Sequence, residues 1–308
     1  MISGMCGIAG ILYLKSASHG PSSVGADLVK MLHALRHRGI DSTGVTVAGQ
    51  TIESNLTVRL CAAEGSDPKK TFEEVDRQIT ALGGKLLVKH QTDAYLKINL
   101  DYKGEVKELA RCLLSVEGVV IHSMGRSSEV VKDVGDANRL DGKHYVSSLL
   151  GTHGIGHVRL ATESQVDISH SHPFWAYPYP DITLVHNGQL TNYHNLKRHL
   201  KQKGHRFLTH NDSEVIAVYL ADQLEQGNSL DEALHNSLRD LDGTFTYVVS
   251  TRTGIGMAKD KWSAKPLVVM ETEAVMAVAS EEVALRRVFP DEIERIEPQQ
   301  NEVMSWSI

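Results

Sequence analysis

Cysteine is scarce in this chain. Cys6, Cys61 and Cys112 are the only three in 308 residues, too few and too scattered for a disulfide framework or a CxxC zinc site, so reduced thiols are the default. Long apolar runs are also missing. The stretch from Ile8 to Leu14 is short, no basic residue precedes it and Lys15 ends it, which fits neither a signal peptide nor a membrane span. A cytoplasmic location is expected. No run of Lys or Arg could track a phosphate backbone, and with 23% charged residues and a formal net charge of −6 a nucleic-acid partner is disfavoured. A small-molecule substrate is expected instead. No CxxC run or GxGxxG fingerprint appears in a suitable context, so no cofactor is expected in this chain, and no repeat, low-complexity tract or long linker interrupts it. What is present is 41% hydrophobic residues, enough to bury the core of one large domain or two modest ones.

The apolar pattern divides the chain. A strand over Cys6 to Leu14 is followed by a helix from about Asp27 to His37, with Leu28, Met31, Leu32 and Leu35 on one face and Gly39 past its end. From about Asn55 to Gly142 the spacing predicts strand 57–63, helix 68–82, strands 85–89 and 94–100, helix 105–116 and strand 118–124. That order is βαββαβ, the ferredoxin-like pattern. Past Gly151, strands lead to a helix over 191–203 with Thr191 at its N-cap. A second helix follows Asp212, carrying Ile216, Tyr219, Leu220 and Leu224 on one face. A third opens at Ser229, and strands are predicted over 244–251, 267–270, 274–279 and 302–306.

Several short motifs carry reactive or charge-binding groups. Cys6-Gly7-Ile8 opens the first strand, and Arg36-His37-Arg38-Gly39-Ile40-Asp41-Ser42 follows the first helix. Then come Gly156-His157-Val158-Arg159-Leu160-Ala161-Thr162, Ser171-His172-Pro173-Phe174, His186-Asn187-Gly188 and Asn211-Asp212-Ser213-Glu214. Singly each has an ordinary reading. A lone cysteine in an apolar strand is core filler, an Arg-rich helix end answers the helix dipole, Arg159 could serve a strand-edge salt bridge, and Asp212 could cap a helix.

Taken in order, the set resembles the class II glutamine amidotransferases, a branch of the N-terminal-nucleophile hydrolases, over residues 6–54 and 150–308. The resemblance implies an α+β fold, a four-layer αββα sandwich. Its glutamine amidotransferase domain would be built from residues 1–54 and 143–308, interrupted by the βαββαβ insertion at 55–142. It implies that Cys6 attacks the side-chain amide of L-glutamine with its own free α-amine as base. An α-amine titrates near ~8 and a thiol near ~8.5, so the two can exchange a proton near neutrality. Asn187, through its side-chain amide, and Gly188, through its N–H, would receive the oxyanion. Arg159 would bind the substrate carboxylate with its planar fork and Asp212 the ammonium. Thr162 and His172 would complete the pocket, and Arg38 would support the loop over Cys6.

Two departures stand out: Leu160 replaces an aromatic residue found in many relatives, and five residues, Met1 to Met5, precede Cys6. While those five are attached the α-amine is an amide and cannot act as a base. Either they are removed as a propeptide, or translation begins at Met5 and methionine removal exposes Cys6. The resemblance stops with the last strands, so the ammonia acceptor is expected on a separate synthase subunit. The organisation is similar to amidotransferase subunits of split glutamate-synthase-like enzymes such as N-methylglutamate synthase. Any flavin or iron–sulfur group belongs with that partner. Rival readings are a regulatory subunit that keeps the fold without hydrolysis, an amidase for another substrate, and a metalloenzyme using His33/His37 or His153/His157 at i,i+4 spacing. For the insertion, docking of the partner is the simpler role and amino-acid binding the other.

Overall fold

The computed structural model describes residues 6–14, 22–49, 55–160, 168–291 and 294–308. Met1 to Met5 and Thr162 lie outside the described residues. In chain order the elements begin with β1 (Gly7–Tyr13), α1 (Val24–Ala34), β2 (Ser42–Ala48), β3 (Leu56–Ala62), α2 (Pro68–Ala81), β4 (Lys85–Thr92), β5 (Tyr95–Asp101), α3 (Val106–Leu113) and β6 (Val119–Gly125). Next are β7 (Ser128–Val134), α4 (Ala137–His144), β8 (His153–Arg159), β9 (Phe174–Trp175), β10 (Thr183–Leu190), α5 (Tyr193–Gln202), α6 (Asp212–Glu225) and α7 (Leu230–Asp240). The chain closes with β11 (Gly243–Ser250), β12 (Gly254–Lys259), β13 (Val268–Glu271), β14 (Val275–Ala279), α8 (Glu282–Arg286), β15 (Arg295–Ile296) and β16 (Val303–Ser307).

Two antiparallel sheets stack face to face: a seven-stranded sheet ordered β15-β13-β14-β1-β8-β2-β7 and a five-stranded one ordered β16-β12-β11-β10-β9. β1 explains why. Successive side chains point to opposite faces, so Ile8 and Leu12 meet Val185, Val248 and Met257 between the sheets, while Ala9 and Ile11 meet Leu28, Met31 and Leu32 of α1 on the outer face. A strand buried on both faces has to be apolar throughout, and this one is. Helices α6 and α7 cover the far side of the second sheet through Ile216, Leu220 and Leu234. The layers are therefore helix, sheet, sheet, helix, and the expected αββα sandwich is the fold.

Residues 56–125 form their own sheet, ordered β4-β5-β3-β6, with α2 and α3 packed on it through Phe72, Val75, Ile79, Leu109 and Leu113. This is the strand order of a βαββαβ unit. The expected insertion extends to residue 142, but its last part belongs elsewhere. β7 pairs with β2 from Ser42↔Val134 to Ala48↔Ser128, and α4 contributes Ala137 and Leu140 to the core around α1. No apolar run announces β7, because Glu129, Lys132 and Asp133 interrupt its valines. Two smaller corrections follow from capping. α1 runs from Val24 to Ala34, with Arg36–Arg38 a separate 3-10 turn. The N-cap position of α5 falls at Asn192, whose side chain makes no capping bond, while Thr191 bonds the Asp242 carboxylate at 2.6 Å.

The charges on β7 join it to the insertion. Glu129 is fully buried and accepts from Arg59 of β3 at 2.6 Å and from Lys97 of β5 at 2.8 Å. Asp133 accepts from the Tyr95 hydroxyl at 2.7 Å and pairs with Lys143 at 2.9 Å. Burial alone would raise the Glu129 carboxyl, but Arg59 and Lys97 outweigh it and hold it at about 2 against an ordinary 4.5. The group therefore stabilises the fold above its unfolded value, and that contribution, about 3 kcal/mol, is lost as pH falls through the folded value. Urea unfolding of the wild type should weaken between about pH 5 and about pH 2. Glu129→Gln should be less stable at neutral pH and show a flatter acid limb; parallel limbs would remove this ion pair from the account.

Candidate active site

Between the sheets the layer is apolar at its middle and polar at the end where β1 begins. Gly7 pairs with Val158, which sets Cys6 beside Arg159 at the end of β8. Asn187 and Gly188 come from β10, Asp212 opens α6, and His172 approaches from the segment before β9. Cys6, Arg159, His172, Asn187, Gly188 and Asp212 line one cleft of about 620 Å³. Six of the eight residues expected at the site are thus brought together. Arg38 stands behind the cleft, and Thr162 is outside the described residues.

Cys6 is half-buried, and its main-chain carbonyl is held from two directions. Arg38 Nε donates to it at 3.0 Å and Asn187 Nδ2 at 2.9 Å. The thiol lies beside the next strand, where the Leu160 N–H points at Sγ across 3.4 Å. Arg38 is itself anchored by Glu281, which also takes His37 at 3.0 Å. Burial would raise the Glu281 carboxyl, but its bonds to Arg38 and His37 outweigh it and hold it below its ordinary value. Glu281 lies 243 positions after Arg38 in sequence, and no local signal pointed to it.

Asn187 is oriented by histidines. Its side-chain oxygen can only accept, so His157 Nε2, 3.1 Å away, carries the proton. This turns Nδ2 toward Cys6. The His157 ring stacks on His172 with centroids 4.1 Å apart, and His172 Nδ1 accepts from the His186 N–H at 3.3 Å. Burial pushes His157 down to about 3 and His172 well below its ordinary value, with neighbouring cationic groups acting the same way. Both rings are therefore neutral at physiological pH. His157 is also half of the His153/His157 pair at i,i+4 spacing. Its actual partners show that pair to be unsupported: His153, four residues along an extended strand, bonds the Thr251 carbonyl at 2.8 Å. His33 and His37 pair with Arg36 and Glu281. Among the described residues no three His, Cys, Asp or Glu side chains gather as a metal site would require.

The charge pattern along the cleft is bipolar. Arg159 supplies a guanidinium, and Asp212 a carboxylate that accepts from the Leu190 N–H at 3.0 Å. Burial acts to raise Asp212, but His186 beside it and the amides of Leu190 and Ser213 outweigh that and leave it below its ordinary value, ionised at neutral pH. Asp212 is not the helix cap. Asn211 is, accepting from the Ser213 N–H at 2.9 Å, which leaves the Asp212 carboxylate free to face the cleft. His186 and Ser213, bonded to each other at 3.0 Å, also line it; both sit inside the motifs that supply Asn187 and Asp212, where nothing in the sequence marks them as cleft residues.

Two glycines shape the walls. A Cβ on Gly44 would lie 2.1 Å from the His172 carbonyl, so only glycine lets the His172 segment cross β2. Gly188 has φ +139, and its Cβ would lie 1.9 Å from the Thr244 carbonyl on β11.

A family model described as a glutamine amidotransferase domain matches residues 157–287. Over 300 residues the chain is 40% identical to a provisionally named glutamine amidotransferase of Methanothermobacter thermautotrophicus, covering 96% of this chain and 97% of that one. Over 305 residues it is 37% identical to the glutamine amidotransferase-like protein GlxB of Rhizobium meliloti, covering 98% of each. Among solved structures, the glutamine phosphoribosylpyrophosphate amidotransferase of B. subtilis matches with a TM-score of 0.58 at 21% identity, over 98% of this chain and 49% of that one. At that identity the likeness is one of fold.

Gly188→Ala is expected to cost roughly 2 kcal/mol or more in urea unfolding, since it combines a left-handed backbone with a collision against main chain. A variant as stable as the wild type would mean that β10 and β11 can part there without cost.

Proposed function

The chain belongs to the class II glutamine amidotransferase family, and from that premise we propose that Cys6 is the nucleophile that releases ammonia from L-glutamine. Supporting this is the convergence of Cys6, Asn187, Gly188, Arg159 and Asp212 on one cleft. In the proposed reaction the Cys6 sulfur bonds to the side-chain amide carbon of glutamine. Its proton passes to the Cys6 α-amine, and the carbonyl oxygen becomes an oxyanion. Asn187 carries two amide hydrogens, and while one holds the Cys6 carbonyl the other is available to the oxyanion together with the Gly188 N–H. Collapse breaks the carbon–nitrogen bond, the leaving nitrogen takes the proton from the α-ammonium, and ammonia departs from a thioester. Water then hydrolyses the thioester to glutamate and regenerates the thiol. His157 and His172, being neutral and buried, take no proton in this scheme; they keep Asn187 turned the right way.

Arg159 and Asp212 bear opposite charges, as the carboxylate and ammonium of an α-amino acid require. The mechanism needs a free amine on Cys6, so Met1 to Met5 must be absent from the active form. The ammonia is proposed to pass to a separate synthase subunit of the glutamate-synthase-like type, such as that of N-methylglutamate synthase. In support, two relatives named as glutamine amidotransferases or like them are matched over 97% and 98% of their own length.

Intact mass before and after treatment with a glutamine-mimicking diazoketone tests the nucleophile. The expected result is a chain beginning at Cys6 with one adduct that disappears in Cys6→Ala; an unprocessed chain without adduct overturns the proposal. In steady-state assays, Asn187→Ala is expected to lower kcat by about 10²- to 10³-fold. Arg159→Ala and Asp212→Ala are expected to raise the KM for glutamine strongly, and an unchanged KM in both would dismiss the substrate clamp.

A further inference from the structure

A second cavity, of about 220 Å³, lies where the insertion meets the sandwich. Its walls come from both parts: Val119 and Ile121 of β6, Phe174 and Trp175 of β9, and Leu208 from the loop before α6. The polar groups at its edge are already engaged. Lys132 donates to the Ser171 carbonyl at 2.8 Å and the Pro173 carbonyl at 3.3 Å, and His122 faces Cys61 at 3.4 Å. Recognition in this cavity therefore rests on apolar contact. An apolar cavity of about 150 Å³ is sufficient for benzene, so this one has room for a single ring with a short substituent or a branched aliphatic group of similar size.

None of its lining residues lines the Cys6 cleft, yet the two are joined at two points. The Phe174 ring meets the His172 ring edge-on, with centroids 4.8 Å apart. Glu214, fully buried in the cavity wall, accepts from the Leu208 N–H at 2.6 Å and from the Thr209 N–H and hydroxyl at 2.7 Å each. That knot fixes the start of the loop whose next residues, His210, Asn211 and Asp212, line the cleft.

We propose that this cavity is an effector site for a small, neutral, largely apolar molecule whose occupancy sets the loop carrying Asp212 and so the affinity for glutamine. The coupling to glutamine rests on the glutaminase reading above; the binding itself does not.

Toluene is a suitable probe, used on the full chain. Fluorescence of Trp175 in the wall and calorimetry should both report saturable one-to-one binding. At saturation the KM for glutamine should shift by about fivefold or more, and the rate at which iodoacetamide alkylates Cys6, read by peptide mass, should change with it. Ile121→Trp fills the cavity and should abolish toluene binding. Should that variant misfold, Leu208→Ala at the partly exposed rim should alter toluene affinity with the fold intact. Absence of saturable binding to the wild type overturns the proposal, as does binding that leaves both KM and Cys6 alkylation unchanged. A chain that hydrolyses no glutamine but whose Cys6 alkylation still responds to toluene upholds this inference and refutes the glutaminase reading.

Discussion

Two donors converge on the main-chain carbonyl of Cys6, and the geometry of the cleft depends on them. Arg38 reaches it from the turn after α1, and Asn187 reaches it from the facing sheet. A residue at the very start of a strand would ordinarily fray; tied to both sheets, its thiol is held at a set position. Each donor is secured by a further group, Arg38 by Glu281 and Asn187 by His157. A polar network in the low-dielectric space between sheets stabilises only when its members are satisfied. The neutral state of His157 and His172 serves that condition, since two stacked imidazolium rings would repel one another and Arg159 alike.

The insertion is attached by the same physics. Its sheet turns Leu56, Val58 and Leu60 toward its own helices. The alternate residue Arg59 faces β7, where Glu129 would be intolerable without partners. β7 thus has two roles, an edge strand of the large sheet and the acidic face onto which the insertion closes. The cavity beside it lies where the insertion meets the sandwich.

Much of this was legible in the sequence. α1 and the βαββαβ unit are periodic, and periodicity records which faces are buried; β1 is apolar throughout, as a strand covered on both faces must be. The cleft residues were legible through the ordered motifs that carry the family resemblance, since each motif taken singly has an ordinary structural reading. β7 was not, because its stability comes from charges supplied by another part of the chain, and a strand carrying Glu129, Lys132 and Asp133 has no apolar signature. The sequence reading offered Asp212 as a cap of α6, whereas Asn211 holds that place, and only backbone geometry decides between adjacent residues that can each accept the same hydrogen bond.

By itself, then, the sequence marked the insertion through its hydrophobic period, and the order of its short motifs implied, by family resemblance, the layered fold and the groups that meet in the cleft; period and motif are both local properties. The tertiary structure alone decided that Glu281 secures Arg38, that His157 orients Asn187, and that a second cavity adjoins the loop of Asp212. Those are pairings between residues far apart in the chain, and which distant groups share a buried hydrogen bond is set by how the sheets stack and not by anything adjacent residues encode.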